Sequence, residues 1–168
     1  MTGGRSPRTA VLGLGNLMHT DDGIGVHAIR RLIEDRLLPP EIEVLDGGTL
    51  GLDLLPRIEG VSRLLTIDAV DFEAPSGTQR RFAGEDLARL PAGKSVHLLG
   101  FTDLLSALRL LERAPSEVVL LGVQPESTGW GVELSPAVGA ALDSLISAAL
   151  SELAGWRQSE PSETIFRA

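Results

Sequence analysis

A chain of 168 residues with 43% hydrophobic and 23% charged residues has ordinary globular usage, which excludes a disordered or fibrous protein and suits one domain, about residues 8–155, between loose termini at 1–7 and 156–168. Fifteen Lys and Arg against 23 Asp and Glu leave a net charge of −8; with no basic run or aromatic–basic interleaving, no nucleic-acid partner is expected. The absence of cysteine removes disulfides, thiolate metal sites and a cysteine nucleophile, so any metal must be held by oxygen and nitrogen.

The start, Met1 to Pro7, lacks the apolar core of a leader, and no apolar stretch approaches the roughly 18 uncharged residues of a membrane span. A cytoplasmic protein without a membrane partner is the expectation. Thr9 to Leu14 reads as a buried strand halted by Gly13, Gly15 and Asn16. A helix follows, capped by Thr20 or Asp21, with an apolar stripe of Val26, Ile29, Leu32, Ile33 and Leu37, and Pro39-Pro40 stops it. Ile42 to Leu45 is a second strand ending in Asp46-Gly47-Gly48-Thr49; Leu52, Leu54 and Leu55 open a short helix that Pro56 should kink and Gly60 end. Leu64 to Val70 is apolar except for Thr66 and Asp68, as a central strand buried on both faces requires.

Thr78 to Phe82 is a further strand, a candidate for antiparallel pairing, and Glu85 to Leu90 a brief helix. Lys94 to Gly100 reads as loop. Phe101, Leu104, Leu105, Leu108 and Leu111 then repeat at helical spacing, and Glu117 to Val123 is another buried strand. The last helix takes Ser135 as N-cap and Pro136 as first residue, with Leu142, Leu145, Ile146, Ala149, Leu150 and Leu153 on one face. Strands alternating with amphipathic helices specify an α/β fold, a three-layer α/β/α sandwich on a mostly parallel twisted sheet.

Ligands in such sheets bind outside the carboxyl ends of the strands, where Asp22, Asp46, Asp68 and His97 fall. Asp22 fits a metal ligand and fits equally a carboxylate in the first turn of a helix. Asp68, a charge inside an apolar strand, must be paired, hydrogen-bonded or metal-bound to offset its desolvation. Asp46 before two glycines reads first as a turn cap, then as a carboxylate supporting a ligand. His97 is the nitrogen candidate, with His19 and His27 as competitors; two Asp and one His with open positions suit Ni or Zn better than Mg or Ca. Gly13-Leu14-Gly15 is a poor dinucleotide motif, since the third glycine of GxGxxG is missing, and the two glycines are read as letting the chain turn away from the sheet.

Together, Gly13-Leu14-Gly15-Asn16, Thr20-Asp21-Asp22-Gly23-Ile24-Gly25-Val26, Asp46-Gly47-Gly48-Thr49, Asp68-Ala69-Val70, His97 and Gly122-Val123-Gln124-Pro125-Glu126 resemble the hydrogenase maturation proteases, in order, from about Ala10 to Leu153. The resemblance implies an endopeptidase that removes the C-terminal extension of a nickel–iron hydrogenase large-subunit precursor once nickel is inserted. It implies that Asp22, Asp68 and His97 are the catalytic and metal-reading residues, that the nickel belongs to the partner, and that no organic cofactor is used. Many members of the family have Glu where this chain has Asp22, one methylene longer. Two mechanisms stay open: metal-assisted hydrolysis with Asp22 or Asp68 positioning the complex or taking a proton, and nickel recognition alone with peptide strain supplying the catalysis.

Two other classes share parts of the pattern. A phospho-receiver domain also has paired acids after strand one and an Asp ending strand three, but Gln124-Pro125 stands where it would place a lysine. A Rossmann-like nucleotide binder is weakened by the incomplete glycine motif.

Overall fold

The computed structural model describes residues 7–90 and 95–159. Five strands, β1 (Thr9–Leu14), β2 (Ile42–Gly48), β3 (Arg63–Ala69), β4 (Gln79–Ala83) and β5 (Glu117–Val123), form one sheet in the order β2-β1-β3-β5-β4. All pairings are parallel except β4 with β5, so the antiparallel candidate is the edge strand. The apolar runs of β1, β3 and β5 are buried on both faces, which is why they carry almost no alternation.

Helices α1 (Ile24–Glu34) and α5 (Pro136–Gln158) cover one face, where Ile29 and Leu32 meet Leu145 and Leu153 over Val11, Leu65 and Val119. Helices α2 (Leu55–Ile58), α3 (Glu85–Ala88) and α4 (Val96–Leu110) cover the other, packing Ile58, Leu87, Phe101 and Leu104 on Leu12, Leu64 and Leu120. The result is the expected three-layer sandwich.

Several local expectations change. Ile33 and Leu37 are exposed; the buried stripe of α1 runs instead through Ile24, Gly25, Val26, Ala28, Ile29 and Leu32. Neither Thr20 nor Asp21 caps α1: both lie in a 3-10 turn, Thr20–Gly23, that leads into it, and Gly23 is the N-cap. Pro56 falls at the start of α2, where its missing N–H costs nothing, so it opens that helix after a 3-10 turn at Gly51–Leu54. Helix α5 runs beyond residue 155, to Gln158, with Trp156 buried against the sheet. By length and composition α5 could cross a bilayer, unlike the reading from uncharged runs; here one face lies on the sheet, while Asp143 and Glu152 pair with Arg31 and Arg81.

Two glycines bring α1 down onto the strands. A Cβ at Gly25 would stand 2.2 Å from the Ile67 carbonyl oxygen and 2.3 Å from that of Leu14, and one at Gly13 would stand 2.4 Å from the Gly25 carbonyl. Gly13 therefore serves close packing and not the chain reversal expected of it; Gly15, at φ +124°, makes the turn.

Candidate active site

The connection from β1 leads to β2 on one side of the sheet, while that from β3 leads toward β4 and β5 on the other. The crevice between the ends of β1 and β3 is thus the point where the winding reverses, the usual ligand position in open α/β sheets. Asp22 and Asp68 arrive there from those two strands, and α4 carries His97 over them.

His97 is not in a loop. It is the second residue of α4, whose N-cap, Ser95, accepts a hydrogen bond from the Leu98 N–H at 3.3 Å. The helix begins earlier than the apolar repeat from Phe101 suggests, because a serine cap sets its start; residues 91–94 before it lie outside the described residues. In this position the imidazole points down onto the sheet and is 5% exposed.

Its two nitrogens are both engaged. Nδ1 lies 3.0 Å from Asp68 Oδ2 and Nε2 2.6 Å from Asp22 Oδ1. An ionised carboxylate only accepts, so a ring held between two of them carries a proton on each nitrogen. Burial works against the charged ring, but hydrogen bonds and charges from Asp22 and Asp68 outweigh it and raise the His97 pKa to about 10. Asp68 is 0% exposed, and burial pushes its carboxyl up to about 6 against the pull of His97. The Ala69 N–H fixes its other oxygen at 2.8 Å. Asp22 is anchored by the Asn16 N–H, which donates to Oδ2 at 3.1 Å. In this backbone an aspartate is long enough to reach the ring.

Asp22, Asp68 and His97 are therefore brought together, as a hydrogen-bonded chain and not as an open set of ligands. Among the described residues, no group of three or more His, Asp or Glu is arranged to hold a metal ion. Above the chain opens a cleft of about 300 Å³, lined by Asp22, Ser95 and Leu98 on one side and Gln124 to Thr128 on the other. Asp68 lies behind the imidazole, without surface on the cleft.

The remaining candidates stand apart. Asp46 is exposed and accepts from the Gly48 N–H at 3.1 Å, the turn-capping role that its two glycines suggest. His19 contacts the Thr128 carbonyl through Nδ1 and its ring lies 4.5 Å from that of Trp130. His27 sits within α1, away from the cleft.

Three residues that matter were not among the site candidates read from the sequence. Ser95 Oγ is 3.1 Å from His97 Nε2, on the cleft side. Gln124 ties the chain after β3 to β5: its Oε1 accepts from the Phe72 and Ala74 N–H groups and its Nε2 donates to Asp71. Asp21, fully buried, accepts from the backbone N–H groups of Glu126, Ser127 and Ser135 and from the Ser135 hydroxyl, at 2.7–3.0 Å. Burial opposes its charge, but those donors hold its carboxyl below the usual range. By itself Asp21 is an acid beside another acid, which reads first as helix capping.

Comparison with known proteins identifies the family. A family model described as hydrogenase maturation protease matches residues 26–152. The chain is 39% identical over 152 residues to the hydrogenase expression/formation protein HupD of Rhodobacter capsulatus, covering 89% of this chain and 72% of HupD. It is 37% identical over 148 residues to the hydrogenase 2 maturation protease of Escherichia coli K12, covering 87% and 90%. The solved structure of the E. coli hydrogenase maturating endopeptidase HybD superposes with a TM-score of 0.83 at 35% identity, over 89% of this chain and 93% of that one. With the fold, the order of motifs and the relatives in agreement, the receiver and nucleotide-binding readings fall away, and the chain belongs to the hydrogenase maturation proteases, peptide hydrolases of the maturation endopeptidase type.

Proposed function

We propose that this protein cuts the C-terminal extension from a nickel–iron hydrogenase large-subunit precursor after nickel has been inserted, in the cytoplasm and without an organic cofactor. The observation that carries the reading is the Asp22–His97–Asp68 chain at the base of a cleft at the reversal point of the sheet.

Nickel enters as part of the substrate. A carboxylate and an imidazole suit a borderline divalent ion, and Asp22 is the member of the chain that faces the cleft. To reach a metal its carboxylate has to leave His97 Nε2, which then opens toward the substrate while Asp68 still holds Nδ1 and fixes the ring. The metal can then orient the scissile carbonyl or a water. With that counter-charge withdrawn, the Nε2 proton passes to cleft water, and the neutral ring, its Nδ1–H still donated to Asp68, can take the proton of the attacking water at Nε2 and give it to the departing amine as the C–N bond breaks. In this scheme Asp22 is the entry ligand, His97 the acid and base, and Asp68 the buried group that orients it.

The test is the intact mass of the precursor, nickel-loaded and nickel-free, incubated with this protein and with Asp68→Ala and His97→Ala. Loss of a C-terminal peptide from the loaded precursor alone, and only with the unmutated protein, is the expected result. Cleavage of the nickel-free form, or normal cleavage by both variants, refutes the reading.

A further inference from the structure

Several exposed large apolar side chains collect around the cleft. Met18 lies in the connection after β1, Leu50 and Leu52 after β2, Leu99 in the first turns of α4, and Trp130 and Val132 in the connection after β5. Thr128, two residues before Trp130, and Leu98, next to Leu99, line that cleft, so the apolar groups border the same opening.

They form two banks, each built by contact between connections distant in sequence. On the first, the Thr20 N–H donates to the Gly131 carbonyl at 2.8 Å and the Gly131 N–H to that of Met18 at 3.0 Å. This pairing and the His19 ring hold Trp130 in place although it is 80% exposed. On the second, a Cβ at Gly100 would lie 3.0 Å from Gly51 Cα. That backbone contact brings Leu50 and Leu52 beside Leu99. Side chains held this way lose little freedom on binding, and Trp is the residue type most concentrated at the energetic centres of protein interfaces.

We infer that these two apolar banks are a docking surface for the folded body of the precursor, with an apolar face around its cut segment. The inference rests on the function proposed above and adds the partner surface to it. A cleft of about 300 Å³ accommodates a few side chains, so an extended segment lying in it leaves the banks on either side uncovered. A globular surface continuous with that segment covers both, and clustered apolar exposure of this kind marks protein contact.

The test uses the nickel-loaded, folded precursor with Trp130→Ala and Met18→Ser, each made separately. Exposed Leu110, at the far end of α4 and 86% exposed, supplies the control Leu110→Ser. Tenfold or higher KM with unchanged kcat for the bank variants, no change for the control, and a synthetic peptide spanning the cut site that competes equally poorly with all of them support the inference. Unchanged KM in both bank variants overturns it. So does a dimer of the free protein, seen by sedimentation, that Trp130→Ala disperses, because the banks then belong to a second copy of this chain. If the unmutated protein leaves the loaded precursor intact, the functional reading fails and this inference falls with it; cleavage with unchanged KM isolates failure of the docking surface alone.

Discussion

At the scale of single residues, the site turns on one imidazole between two carboxylates. The folded-state pKa of His97, about 10, lies above its ordinary 6.5, so its contribution to stability is complete below pH 6.5 and fades as pH rises toward 10. The raised pKa of Asp68 works in the same direction at lower pH: the gain is present below 3.8 and gone above about 6. Stability should therefore decline on the alkaline side, and His97 should be doubly protonated at pH 8. Nitrogen-detected NMR of the ring checks this, with Asp22→Asn as comparison: removing that charge should lower the titration midpoint of His97 while Asp68 keeps it above 6.5. A neutral ring at pH 7 in the unmutated protein would contradict the arrangement. The sequence showed that Asp68 needed a partner, because a lone acid in a buried strand is costly. It did not show which partner, since the distance from residue 68 to residue 97 is closed only by the packing of α4.

At the scale of elements, the connection after β5 is fixed to the turn before α1 by Asp21. Asp21 and Asp22 are adjacent yet face opposite tasks, the first holding the wall of the cleft and the second its base. Asp21→Ala would leave three backbone N–H groups and a hydroxyl without their acceptor, and at about 1–3 kcal/mol for each unsatisfied buried group the loss should reach about 3 kcal/mol or more. Ser135→Ala removes one donor and should cost about 1 kcal/mol. Urea unfolding measures both, and faster amide exchange at Glu126 and Ser127 in Asp21→Ala would locate the damage. Equal stability of the two variants would show that Asp21 is not the anchor. Ser135 illustrates how far local rules reach: its place before Pro136 was legible, but its hydroxyl turns to Asp21 instead of the helix amides. Strand positions were readable from continuous apolar runs, whereas the start of α4 was lost because the apolar repeat begins two turns after the serine cap.

At the scale of the whole molecule, the site depends on how closely α1 lies across the sheet, since Asp22 sits in the turn that leads into that helix. The mostly parallel sheet and the carboxyl-end position of the acids followed from the alternation of elements, but the tightness of this contact did not. It is written in glycines that look like turn residues. Gly25 has the carbonyls of Leu14 and Ile67 within 2.3 Å of where a Cβ would be. Both belong to buried strands that cannot yield without breaking ladder pairing, so relief must come from lifting α1. Gly25→Ala should then destabilise the fold by about 3 kcal/mol, at the upper end of overpacking, even though alanine favours a helix by about 1 kcal/mol. It should also draw Asp22 from His97, lowering the His97 titration in the folded variant and slowing cleavage more than the loss of folded protein explains. Thermal unfolding and the ring NMR signal, measured on the same sample, separate the two effects. A variant with a normal His97 titration and lowered Tm would confine Gly25 to packing, and a variant with unchanged Tm would mean that α1 does not ride on the sheet as closely as these contacts require.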